Sequence, residues 1–237
     1  MAKNIGTGAV PAVAVPFDRG PRPVLRGWLH VAAAAVGLIA GIALTIAAVR
    51  QGDPALTTAT VVYVLCLIGA MAVSGWYHRW PFIRESSIRA ARRADHSMIA
   101  VFIAGTYGPI VVAGLPPGDA TGLLIACWVG AAAAVVVNLV WISHPRWVAV
   151  AIYLFLGWLV VWKLGALYDG TGAAVLLLLA GGGVIYSLGA LVYGFKWPDP
   201  WPRWFGFHEV FHAATIVAAV LHHIAIWIVV LHGPVGA

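Results

Sequence analysis

Apolar residues in this chain come in blocks of about 20, separated by short stretches rich in Pro, Gly, Arg and Asp. A helix of about that length spans the roughly 30 Å hydrocarbon core of a bilayer. It also satisfies its backbone polar groups internally, as lipid requires. Seven such helices are predicted, at 28–49, 57–78, 94–113, 121–141, 147–167, 171–193 and 206–231. No block shows the sustained two-residue alternation of a membrane barrel strand. Residues 1–26 are rich in Pro, Gly and small side chains and read as a flexible cytoplasmic tail, leaving 27–237 as the transmembrane domain. The first block exceeds the 7–15 residues of a secretory signal core, which favours a retained helix. Gly37 and Gly41 give that helix a small face for close packing, and Gly181-Gly182-Gly183 suits a place where helices approach closely or a cavity is lined, so that the sixth helix can bend.

Composition agrees with this pattern. Of 237 residues, 62% are hydrophobic and 9% charged, and the mean hydropathy is +0.93; a soluble domain of ordinary charge content is excluded. The basic residues then orient the bundle. Lys3, Arg19, Arg22, Arg26, the five arginines from Arg79 to Arg93, Arg146, Lys196 and Arg203 fall on one side of a seven-crossing chain, leaving only Arg50 and Lys163 elsewhere. The positive-inside rule makes that side cytoplasmic. The predicted fold is therefore an all-α integral membrane protein, a seven-transmembrane helix bundle with the N-terminus cytoplasmic and the C-terminus outside, placed in the plasma (inner) membrane. Its expected partners are membrane lipids. The net charge of +6 follows from this topology and calls for no nucleic acid; the arginine-rich loop lies against anionic headgroups. Oligomeric state has no signature in the sequence. Cys66 and Cys127, in apolar runs without metal-ligand spacing, are expected as buried free thiols.

This topology gathers polar residues from distant parts of the chain. Ser74 and His78 end the second helix, Asp95 opens the third, and His208 and His212 open the seventh, all at the cytoplasmic level. Ionisable groups at membrane depth are costly against lipid, face the bundle interior, and mark function. Residues four apart on a helix share a face, so His208 and His212 can grip one ion, with His78 as a third ligand. Three neutral imidazoles suit a zinc ion with a fourth position open to water, whose acidity the metal would raise. Asp95 would then orient that water or take its proton, or else simply cap the third helix. The Ser74 hydroxyl would bond the water or a substrate carbonyl. His222 and His223, two to three turns deeper, either pack inside the bundle or line a ligand site. His30, His96, His144 and His232 are expected to be structural. His208-Glu209-Val210-Phe211-His212 also satisfies the H-E-x-x-H pattern of zinc proteases, with Glu209 as base, so an intramembrane metalloprotease is an alternative.

At these residues the chain resembles the hemolysin III type branch of the progestin and adiponectin receptor (PAQR) family. The resemblance extends over all seven helices and is concentrated in Ser74-x-x-x-His78, in Asp95-His96-Ser97-Met98-Ile99 with Ile103 to Tyr107 and Pro109, and in His208-x-x-x-His212 followed by His222. It implies a zinc ion held by His78, His208 and His212, with Asp95 acting on the bound water and Ser74 beside it. In the wider superfamily, which includes alkaline ceramidases, such a site is associated with amide hydrolysis in lipids. The expectation is a zinc-dependent membrane hydrolase of a lipid amide or ester. The competing one is a non-enzymatic receptor, sensor or homeostasis and cytolysis-associated protein braced by a structural zinc.

Overall fold

The computed structural model describes residues 22–233; most of the expected tail, with Lys3 and Arg19, lies outside the described residues. Those described form an all-helical bundle: α1 (Trp28–Gln51), α2 (Pro54–Arg79), α3 (Glu85–Gly114), α4 (Pro117–Val140), α5 (Arg146–Gly157), a 3-10 turn (Leu159–Lys163), α6 (Leu164–Phe195) and α7 (Phe207–His232). Six segments are long and apolar enough to cross a membrane, and one of them is the 50-residue stretch Arg146–Phe195 that holds α5 and α6. This stretch is not a continuous rod. It tightens into the 3-10 turn after Gly157 and turns at Gly172, whose φ of 80° and ψ of 174° no helical residue adopts.

Local chemistry accounts for several ends. Asp53 caps α2 by accepting from the Leu56 amide at 2.7 Å, and Pro54 occupies the first helical position, where a missing N–H costs nothing. Pro81 follows the end of α2. α3 starts nine residues before the apolar block that predicts it, because Glu85 and Arg89 pair one turn apart and carry the helix beyond the apolar zone. Arg89, Arg92 and Arg93, expected in a basic loop, therefore ride on the first turns of α3.

α3 is the most buried of the six spans and packs against α2, α4, α5, α6 and α7. Large apolar side chains face outward instead, Ile39 being 73% exposed and Leu177 72%. This inverts the soluble pattern and suits a lipid solvent. Gly41 is buried where α1 meets Val64 of α2, as the small face predicts. The Gly181–Gly183 run does not bend α6. Gly182 lets α7 approach closely, as the sequence allows, since a Cβ there would strike the His222 ring. α1 and α7 touch at both ends: Arg26, just before α1, pairs with Glu209, and Gln51 at its end donates to the Leu231 carbonyl at 3.0 Å.

Candidate metal centre

The first turn of α7 is held from two sides. The Phe207 amide donates to Asp199 at 2.8 Å, and Glu209 folds back to accept from the Gly206 amide at 2.9 Å, a capping arrangement. His208 and His212, one turn apart, then face the end of α2. His208 Nε2 stands 3.2 Å from His78 Nε2. One nitrogen from each of His78, His208 and His212 lies within 4.8 Å of the others, and His78 and His212 are buried. Ligands 2.0–2.1 Å from a tetrahedral ion stand about 3.4 Å apart, so small side-chain movements suffice. This donor set could hold a metal ion.

α3 brings Asp95 to the same end, its Oδ2 3.9 Å from His78 Nε2. The Ser74 hydroxyl, one turn before His78, lies within hydrogen-bonding reach of that carboxylate. The five residues expected to meet thus do meet. Glu209 does not join them. It is 1% exposed, and its carboxylate accepts from Arg26 and from Gly206. It is also missing from the walls of the cavity beside the histidines.

That cavity has a volume of about 160 Å³. At one end it is walled by Ser74, Asp95, His96, His208 and His212; further along, Phe102, Ile103, Tyr107, Leu154, Trp158 and Tyr186 make it apolar and aromatic. His222 also lines it, ten residues and so about 15 Å along α7 from His212, donating from Nε2 to the Leu179 carbonyl at 3.1 Å. His223 turns instead toward α2. Its Nε2 accepts from Trp227 and its Nδ1 faces the Tyr63 hydroxyl, both at 3.0 Å. The Trp227 indole, a donor only, fixes the neutral ring's proton on Nδ1.

Three features had no clear sequence signal. His30 of α1 stacks flat on His212, with ring centroids 3.8 Å apart and planes 3° apart. Asn138, 2% exposed, joins Tyr153 at 3.2 Å and His144 at 3.1 Å, while Tyr153 donates to the His96 carbonyl at 2.9 Å. This network fixes α5 against α3 and α4. Residues 22–27 form a strap across the histidine end: Val24 and Leu25 donate to the Arg203 and Trp204 carbonyls at 3.0 and 3.2 Å, and Arg22 to the His78 carbonyl at 3.2 Å. Periodicity gives no signal for these contacts, most of which join residues far apart in sequence.

Among known proteins, the chain is similar to the "Hemolysin-3 homolog" of Bacillus subtilis (strain 168), with 33% identity over 102 residues, 43% of this chain and 48% of that protein. It is likewise 33% identical over 100 residues to the "Hemolysin-3" of Bacillus cereus, covering 42% and 45% of the two chains. The matched stretch thus spans about half the length of each relative. The model of the family described as "Haemolysin-III related" matches residues 19–223, most of the molecule. With buried histidines from α2 and α7 at one end of a membrane-type helical bundle, the chain belongs to the haemolysin-III related family.

Proposed function

We propose that this protein is a zinc-dependent hydrolase of a lipid amide or ester in the plasma (inner) membrane. The observation that carries this reading is the convergence of His78 with His208, His212 and Asp95, the last three walling, with Ser74, the polar end of an otherwise apolar cavity. His78, His208 and His212 would hold the ion. A zinc ion bound there supplies Lewis acidity and a water acidic enough to attack at neutral pH. Asp95 orients the attacking water and takes its proton as the water oxygen bonds to the carbonyl carbon. It then returns the proton to the departing amine or alcohol as the C–N or C–O bond breaks. Ser74 steadies the Asp95 carboxylate through its hydroxyl. The acyl chain lies along the apolar cavity toward Trp158 and His222. Lipid reaches it sideways and water from the cytoplasm.

The bundle crosses the membrane seven times in this reading, with N-terminus in and C-terminus out. Two observations support it. As one rod, the 50-residue stretch would be roughly 75 Å long, more than twice the apolar thickness of a bilayer, yet it turns at Gly172. α1 and α7 meet at both their starts and their ends, so they run parallel. That needs an odd number of crossings, and two passes by the 50-residue stretch give seven.

Elemental analysis of detergent-purified protein tests the metal. The expected result is about one zinc per chain, lost in His212→Ala and largely kept in Asp95→Ala, with turnover of a single-chain lipid amide abolished in both. Zinc with no turnover of any lipid amide or ester would favour a receptor or sensor braced by the ion. No metal in unchelated wild type would sink the hydrolase.

A further inference from the structure

His30 is 6% exposed and lines the cavity beside Ser74, Asp95 and His212. Neither ring nitrogen has a hydrogen-bond partner among the described residues; the His212 backbone runs close by but outside bonding geometry. Buried polar groups in proteins are nearly always paired, and leaving one unpaired costs more than a made hydrogen bond returns. The flat stack on His212 does not explain the residue, since a phenylalanine would stack as well and bury no polar atom. The nitrogens need a partner that arrives with whatever fills the cavity. A neutral imidazole offers one N–H, and at the polar end of an apolar cavity the fitting acceptor is the carbonyl of an acyl chain.

We propose that His30 is a substrate-binding residue, whose imidazole N–H donates a hydrogen bond to the carbonyl oxygen of the acyl compound in this cavity. It takes this role only if that compound occupies the cavity as proposed above. Nothing in the spacing of the sequence ties His30 to the site; the fold of α1 onto α7 does.

The test uses the full chain in detergent, zinc-loaded for the resonance and affinity measurements with 2-tetradecanone labelled with 13C at its carbonyl, and cobalt-loaded in a separate sample for the electronic spectrum. This probe has the acyl carbonyl but no scissile bond. His30→Phe keeps the stack and removes the nitrogens, and His30→Gln restores a donor. The expected result is a downfield carbonyl resonance on binding to wild type. His30→Phe loses that displacement and binds about five- to tenfold more weakly, as the loss of one hydrogen bond predicts, and His30→Gln recovers part of both. The electronic spectrum of bound cobalt stays as in wild type, and tridecane, lacking the carbonyl, binds all three proteins alike. Unchanged ketone affinity and resonance in His30→Phe would overturn the proposal. So would loss of cobalt from His30→Phe, which would make His30 a metal ligand, or a wild type that does not take up the ketone. If the His30-dependent resonance is found but no acyl amide or ester is ever hydrolysed, the carbonyl site stands and the hydrolase reading fails.

Discussion

Glu209 sits between two residues of the histidine cluster yet serves the frame of the site. On a helix it points about 100° away from His208, and there it meets Arg26 and the Gly206 amide. Glu209→Gln is therefore expected to lower stability by about 2–3 kcal/mol, the worth of a hydrogen bond to a charged group, as read by thermal unfolding in detergent. Zinc content should stay at the wild-type level and lipid turnover within a few-fold of it. A loss of a thousandfold or more with normal zinc would make Glu209, not Asp95, the base of the reaction. The same short motif is thus legible in sequence as a pair of candidate ligands but does not reveal the frame role of its glutamate, because the deciding partner is 183 positions away. His78 and Asp95 could be read because topology put them at one depth. His30 could not: one histidine at a helix start has no spacing partner.

At the scale of helices, apolar block length locates the spans, and their boundaries shift where other forces continue the helix. Hydropathy sees the lipid-embedded part of α3 and misses the turns stabilised by Glu85 and Arg89. The turn at Gly172, by contrast, is legible, since the polar run Tyr168-Asp169-Gly170 separates the predicted spans 147–167 and 171–193 right beside it. Close helix approach is better written in glycine. At Gly182, a side chain would collide with His222 and come within 3.2 Å of the Ala218 carbonyl. Gly182→Val should cost about 1–3 kcal/mol by overpacking and displace His222 from the cavity wall. Gly122→Val, where nothing lies within 4 Å, is the matched control and should leave the melting temperature near wild type. Equal loss in both would mean that α6 and α7 do not meet as described.

For the molecule as a whole, the proposed orientation can be checked with thiol reagents, because Cys66 and Cys127 are both buried. In intact cells, a membrane-impermeant maleimide should label Gly118→Cys, in the first turn of α4, and spare Glu85→Cys, at the far end of α3; permeabilisation should expose the second. The reverse pattern would invert the bundle. One feature of the centre reaches beyond chemistry. His78 and His208 are 130 positions apart, and the strap before α1 fastens to α7 through Arg26 and Glu209. Such a site cannot exist on a nascent chain until its last hydrophobic segment has left the ribosome and docked beside its first. A polypeptide truncated before Phe207 would lack His208 and His212, and one inserted with a segment skipped would leave them on the opposite side from His78. Uptake of the proposed metal would thereby report that synthesis and insertion have been completed.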